Sequence, residues 1–110
     1  CARTYTVKAD DTCDIIGQKT LTSTYQILAF NLPSAGTGCY SLETGAELCL
    51  GRYGSDCQLV HRATTSDTCY SIAAQYGIEV SMMETNNPSM DCDQIYDGLN
   101  LCVASGVVRP

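Results

Sequence analysis

"KADDTC" occupies residues 8–13 and "TTSDTC" residues 64–69, so Asp-Thr-Cys is written twice, 56 residues apart. The rest of the chain keeps that register. The eight cysteines stand at 1, 13, 39, 49, 57, 69, 92 and 102, with gaps of 12, 26 and 10 in the first four and 12, 23 and 10 in the second. Equal outer gaps around a middle that differs by three mark an internal duplication with one small insertion. At an offset of 56, Asp11, Thr12, Ile16 and Asn31 fall on Asp67, Thr68, Ile72 and Asn87. Beyond the insertion, at an offset of 53, Gly45 and Leu48 fall on Gly98 and Leu101. The repeat divides the chain into a first module over 1–51, a linker "RYGSD" over 52–56, a second module over 57–104 and a tail over 105–110.

Units of this size bury little surface and need covalent help. An even set of eight cysteines in 110 residues reads as a disulfide framework formed in an oxidising, extracellular setting. The pairing is expected within modules, because each carries a full set, but four cysteines allow three connectivities and the spacing does not choose among them. There is no Cys-x-x-Cys and His61 is the lone histidine, so neither a structural zinc nor another metal or cofactor is expected. A formal net charge of −6 disfavours nucleic acid and anionic membrane surfaces. No apolar run is long enough to span a bilayer. Opening on Cys1 is what a mature secreted product or a trimmed piece looks like.

Both modules read as strand, helix, helix, strand, an α+β (βααβ) fold with a two-stranded antiparallel sheet. "RTYTVKA" (3–9) and "QLVHRAT" (58–64) alternate as strands. Asp11 and Asp67 are expected as helix N-caps, with Thr12 and Thr68 in the first turn. "CDIIGQ" and "CYSIAAQYG" follow as short helices, Gly77 suiting the position after the second. "TSTYQILAFN", capped by Thr22 or Ser23, and "EVSMMETNN" are the second helices. "GAELCL" and "GLNLCV" are closing strands in which Cys49 and Cys102 are out of phase with the inward leucines. The expected core is Tyr5, Val7, Ile16, Ile27, Leu28, Leu42, Leu48 and Leu50, with Ala63, Ile72, Met82, Met83, Ile95, Leu101 and Val103 in the second module.

Tyr-x-Val, then Asp-Thr, then Ile-Ala in a first helix, Asn-Pro after a second and a closing Gly-x-x-Leu resemble the lysin motif, LysM. "YTVKADDTCDII…NLP…GAELCL" fits once, and "SDTCYSIAAQYGIEVSMMETNNPSMDC…GLNLCV" fits again. The added cysteines resemble secreted fungal LysM proteins. The resemblance implies binding of N-acetylglucosamine oligomers and chitin in a shallow groove between the first strand–helix loop and the loop after the second helix. Carried onto this chain, the walls are Asp10, Asp11, Thr12 with Asn31, Leu32, Pro33, Ser34, and Ser66, Asp67, Thr68 with Asn87, Pro88, Ser89, Met90. The glycine usual before Asp-Thr is Asp10 in one module and Ser66 in the other, and the insertion alters "NLPSAGTGC" relative to "NPSMDC". The second module is therefore expected to be the stronger site.

Tyrosines 25, 40, 53, 70, 76 and 96 are further candidates for stacking on sugars, although Tyr76, like Met82 and Met83, reads as packing. Asp91, Asp93 and Asp97 lack the later glutamate of a calcium loop and read as a solvated acidic loop. Asn87 is followed by Pro88, so it is no glycosylation sequon. Catalysis is not expected. The acids sit on turns of units too small for the facing carboxylates of a glycosidase, and His61 has no free nucleophile beside it. The reading is a secreted, extracellular or cell-wall chitin-binding protein that shields hyphal chitin or sequesters oligomers from host receptors, and that allows ligand-bridged self-association. Its rivals are a cysteine-rich protein-binding module or hydrolase inhibitor, and the chitin-binding segment of a larger chitinase.

Overall fold

The computed structural model describes residues 1–31, 39, 42–57, 59–88, 91–93 and 95–104. Strand β1 (Arg3–Thr6), helices α1 (Cys13–Thr20) and α2 (Thr24–Phe30) and strand β2 (Glu47–Gly51) form the first unit. Strand β3 (Val60–Arg62), helices α3 (Cys69–Tyr76) and α4 (Val80–Asn86) and strand β4 (Asn100–Cys102) form the second. β1 pairs antiparallel with β2, and β3 with β4, as two separate sheets. The register repeats too: Tyr5 faces Leu48, and its counterpart His61 faces Leu101.

The helix starts differ from expectation by one residue. Thr12 is the N-cap of α1, its Oγ1 accepting from Ile15 N at 3.1 Å. Thr68 caps α3 in a reciprocal box: its Oγ1 accepts from Ser71 N and Ser71 Oγ accepts from Thr68 N, both at 3.0 Å. Asp11 and Asp67 stand one residue too early to reach those amides, and their carboxylates turn back toward the strand. Ser23, rather than Thr22, caps α2. Gly77 ends α3 in the left-handed region at φ 67°, while Leu21 fills the same place after α1 at φ 54°, where a side chain is less at ease.

Each unit has its own core. Val7, Cys13, Ile16, Ile27, Leu48 and Leu50 pack in the first, and Ala63, Ile72, Ala73, Met83, Leu99, Leu101 and Val103 in the second. Leu28 and Met82, expected inside, are only partly buried and belong to neither cluster. The bridges are Cys1–Cys49, Cys13–Cys39, Cys57–Cys102 and Cys69–Cys92, all within units. In both units the first cysteine joins the fourth and the second joins the third. One bridge ties the start of the unit to its closing strand, and the other ties the first helix to the loop beyond the second. Closing loops of 23 to 48 residues lowers the entropy of the unfolded chain, worth roughly 3–4 kcal/mol per bridge.

Cys102 is out of phase with Leu101, yet both are buried. The outer side of β4 is covered by the other unit. Phe30 of α2 packs there with Cys57 and Cys102, and Ala29, Cys49, Val60 and Ala104 close around them.

Candidate functional site

The loop between the first strand and first helix is built the same way twice. In the first unit Asp11 N donates to Lys8 O at 3.2 Å and Asp11 Oδ2 accepts from Lys8 N at 2.8 Å. In the second, Asp67 N donates to Thr64 O at 3.0 Å and Asp67 Oδ2 accepts from Thr64 N at 2.9 Å. One aspartate thus closes a four-residue turn from both sides. The turns differ inside. Asp10 adopts φ 65°, whereas Ser66 has no positive φ. Aspartate tolerates the left-handed region, and the second turn avoids asking it of serine.

Each aspartate is also tied to the sheet. Tyr5 OH donates to Asp11 Oδ2 at 2.6 Å and Lys19 Nζ lies 3.0 Å from Oδ1. Burial alone would push the Asp11 carboxyl up, but the hydrogen bonds from Tyr5, the Lys8 amide and Lys19 outweigh it and hold it below its ordinary value. The bond to Asp11 raises the Tyr5 phenol in turn. In the second unit His61 takes the place of Tyr5. Its Nε2 donates to Asp67 Oδ2 at 2.9 Å, because a carboxylate only accepts. Its Nδ1 lies 2.8 Å from Tyr76 OH, with the two rings edge-on at 5.4 Å. The bond from His61, followed by that from the Thr64 amide, holds the Asp67 carboxyl below the usual range.

The loop after the second helix starts at an asparagine in each unit. Asn31 Nδ2 donates to Ile27 O and Cys49 O, and its Oδ1 accepts from Cys49 N, all at 2.7 Å. Asn87 Nδ2 donates to Met83 O and Cys102 O at 2.9 Å, and its Oδ1 accepts from Cys102 N at 2.8 Å. Both asparagines are buried. Their amides are occupied in fastening the end of the second helix to the closing strand.

The turn aspartate and the asparagine of each unit therefore hang from neighbouring positions of one small sheet. Asp11 is held through Tyr5 and Asn31 through Cys49, on strands that pair Thr4 with Cys49 and Tyr5 with Leu48. Asp67 is held through His61 and Asn87 through Cys102, on strands that pair Val60 with Cys102. Exposed on the first wall are Asp10 and Thr12, and on its counterpart Ser66 and Thr68. On the facing wall Pro88 is exposed. Leu32, Pro33, Ser34, Ser89 and Met90 lie outside the described residues, as does Tyr40. Sequence reasoning missed Tyr5, Lys19, His61 and Tyr76 as the anchors of the first walls. The signal was present: His61 falls on Tyr5 in the repeat, and both lie six residues before the turn aspartate.

The Asp11 and Asp67 carboxylates are committed within their turns, while Asp10 is exposed on the first. Among the described residues no group of three or more His, Cys, Asp or Glu is placed to hold a metal ion. A shallow depression of about 240 Å³ is lined by Gly77, Ile78, Glu79, Ser81 and Met82, none of them a wall residue.

The LysM domain family matches this chain twice, over residues 5–51 and 61–104. The chain belongs to the LysM family. Among its relatives is a secreted LysM effector of Pochonia chlamydosporia, 32% identical over 94% of this chain and 15% of its own length. A second secreted LysM effector of the same fungus is 27% identical over 94% of this chain and 32% of its own length. The chain thus spans a third or less of each of these two. The LysM domain of Equisetum arvense chitinase A is 40% identical over 44% of this chain and 98% of its own, with a TM-score of 0.42. This chain thus carries two LysM modules, each closed by two disulfides of its own. Among the described residues no helix is long and apolar enough to cross a membrane.

Proposed function

We propose that the protein binds chitin and N-acetylglucosamine oligomers in two grooves, one per LysM module. The modules are taken as 1–51 and 57–104, joined by 52–56 and followed by a tail at 105–110. The observation that carries the reading is the pair of wall loops hung from adjacent positions of one sheet. A turn closed by Asp11 or Asp67 stands beside a loop fastened by Asn31 or Asn87. The first wall offers Asp10–Thr12 or Ser66–Thr68, and the second Asn31–Ser34 or Asn87–Met90. Acetamide and hydroxyl groups are met by backbone donors and acceptors of the Asp11 and Asp67 turns, which their own hydrogen bonds hold in place, so little entropy is lost on binding there. Either biological use, shielding hyphal chitin or sequestering oligomers from host receptors, follows from such binding. The test is retention on insoluble chitin against cellulose, followed by calorimetry with N-acetylglucosamine oligomers of increasing length. Retention on both polysaccharides alike, or on neither, refutes the reading.

A further inference from the structure

The duplication supplies an internal comparison for every residue at the joint between the modules. On the first module's side, Asp14 O accepts from Asn100 Nδ2 at 2.8 Å and Thr24 Oγ1 accepts from Asn100 N at 3.1 Å. Asp14 Oδ2 also accepts from Tyr96 OH at 2.8 Å. Gly17 makes room for this approach: a Cβ there would stand 2.7 Å from Asn100 Nδ2 and 2.5 Å from Thr22 O. The linker is gripped as well. Arg3 holds Asp56 with two nitrogens, at 2.8 and 2.7 Å. Buried Gln26 donates to Leu50 O at 2.6 Å and to Asp56 Oδ1 at 2.8 Å, and accepts from Cys57 N at 3.0 Å. Arg52 and Ser55 close the linker on itself by two backbone hydrogen bonds, and the Arg52 guanidinium lies 4.7 Å above the Phe30 ring.

The counterparts of these residues lack the side chains that make most of these contacts. At the offset of 56, Arg3, Asp14, Gly17, Thr24 and Gln26 become Leu59, Tyr70, Ala73, Val80 and Met82. At the offset of 53, Tyr96 and Asn100 answer to Glu43 and Glu47. The two modules thus share their anchors and cores but part at the joint. The docking face of the first module is not repeated on the second.

We propose that the tandem works as one rigid bivalent unit. Asn100 keyed over Gly17, together with the Arg3–Asp56 clamp on the linker, fixes the spacing and angle of the two grooves. The binding half of this inference rests on the function proposed above. A long polymer that fits both grooves meets a second site already in place, while an oligomer reaching one groove gains nothing from the other.

The test uses the full oxidised chain and two variants. Asn100→Glu sets a carboxylate against Asp14; its counterpart Glu47 shows that the module's own strand accepts the residue. Gly17→Ala fills the notch; Ala73 stands at that place in the second module. Nitrogen-15 relaxation should give the wild-type modules one shared rotational correlation time, and give the variants two shorter ones with the disulfides intact. Retention of the variants on long chitin should fall by about tenfold, with affinity for a short oligomer unchanged. Separate correlation times in the wild type overturn the proposal, as do variants that stay coupled. So do uncoupled variants that keep full polymer retention. If one variant fails to fold, the other decides. A wild type that binds no chitin sinks the proposed function, and the relaxation data still decide rigidity.

Discussion

Asn87→Ala separates a residue that builds the wall from one that touches the ligand. In the structure the Asn87 amide makes three hydrogen bonds, to Met83 O, Cys102 O and Cys102 N, in a place closed to water. Removing it strips Cys102 N and O on β4 of these bonds and leaves Met83 O on α4 with only the bond from the Asn87 backbone amide. At about 1 kcal/mol for each lost bond, the cost is about 3 kcal/mol. For a chain of this size each kcal/mol moves Tm by roughly 4 °C, so Tm should fall by about 12 °C. Differential scanning calorimetry under non-reducing conditions measures this directly. Calorimetric titration with a short oligomer, well below Tm, reads the groove. The reasoning fails if Tm stays within about 2 °C of wild type while oligomer binding disappears. That result would mean the amide faces the sugar. Asn31→Ala should repeat the loss in the first module, through Ile27 O and Cys49.

Reduction should unfold both modules, as followed by circular dichroism, because thin cores depend on the four bridges; non-reducing peptide mapping should return Cys1–Cys49, Cys13–Cys39, Cys57–Cys102 and Cys69–Cys92, and a peptide bridging 1–49 to 57–102 would overturn the pairing. The Asp11, Asp56 and Asp67 carboxyls are held below their ordinary 3.8; groups depressed in the folded state stabilise it above the unfolded value and lose that contribution as pH falls through the folded one. Tm should therefore hold as pH falls toward about 4 and drop below it, and Asp56→Asn should blunt the drop; an unblunted variant would remove Asp56 from the account. Binding to neutral chitin should change little between low and high salt, since screening acts on charges; a steep loss of retention would point to a charged ligand instead.

The strand, helix, helix, strand order was legible because cysteine spacing and hydrophobic pattern agreed at two offsets. The Asp-Thr turns were legible as turns but not as to which residue did what. Asp and Thr are both good N-caps, and propensity does not say which one the helix uses. The decision came from Tyr5 and His61, which draw the aspartates back to the sheet and leave the threonines to the amides. The wall reading of Asn31 and Asn87 comes from the LysM resemblance, composition alone supporting only a turn. Their true load, a buried three-way bond to the closing strand, depends on a contact that is distant in sequence. The joint was not legible at all. Gln26 looks like a helix surface residue until Asp56 and Cys57 are seen to need it.

The two first walls are one design held by different chemistry. The first uses a phenol and an ammonium on Asp11, and the Lys19 arm of that pair is half exposed. Such a surface pair contributes little and is screened by salt. The phenol, which has the same bond to give at any neutral pH, is the part that must hold the turn. The second wall uses an imidazole that is mostly enclosed and linked at its far nitrogen to Tyr76. It therefore takes its support from α3 as well as from the sheet. Lys19 also lies on a helix, α1, but its half-exposed ammonium holds the first turn more loosely than the enclosed His61 ring holds the second. The second module also lacks the three-residue insertion in its facing loop. On the proposed function both differences favour the second module, whose Asp67 turn is the more firmly anchored before any ligand arrives. Less ordering cost then means a tighter site for the same contacts.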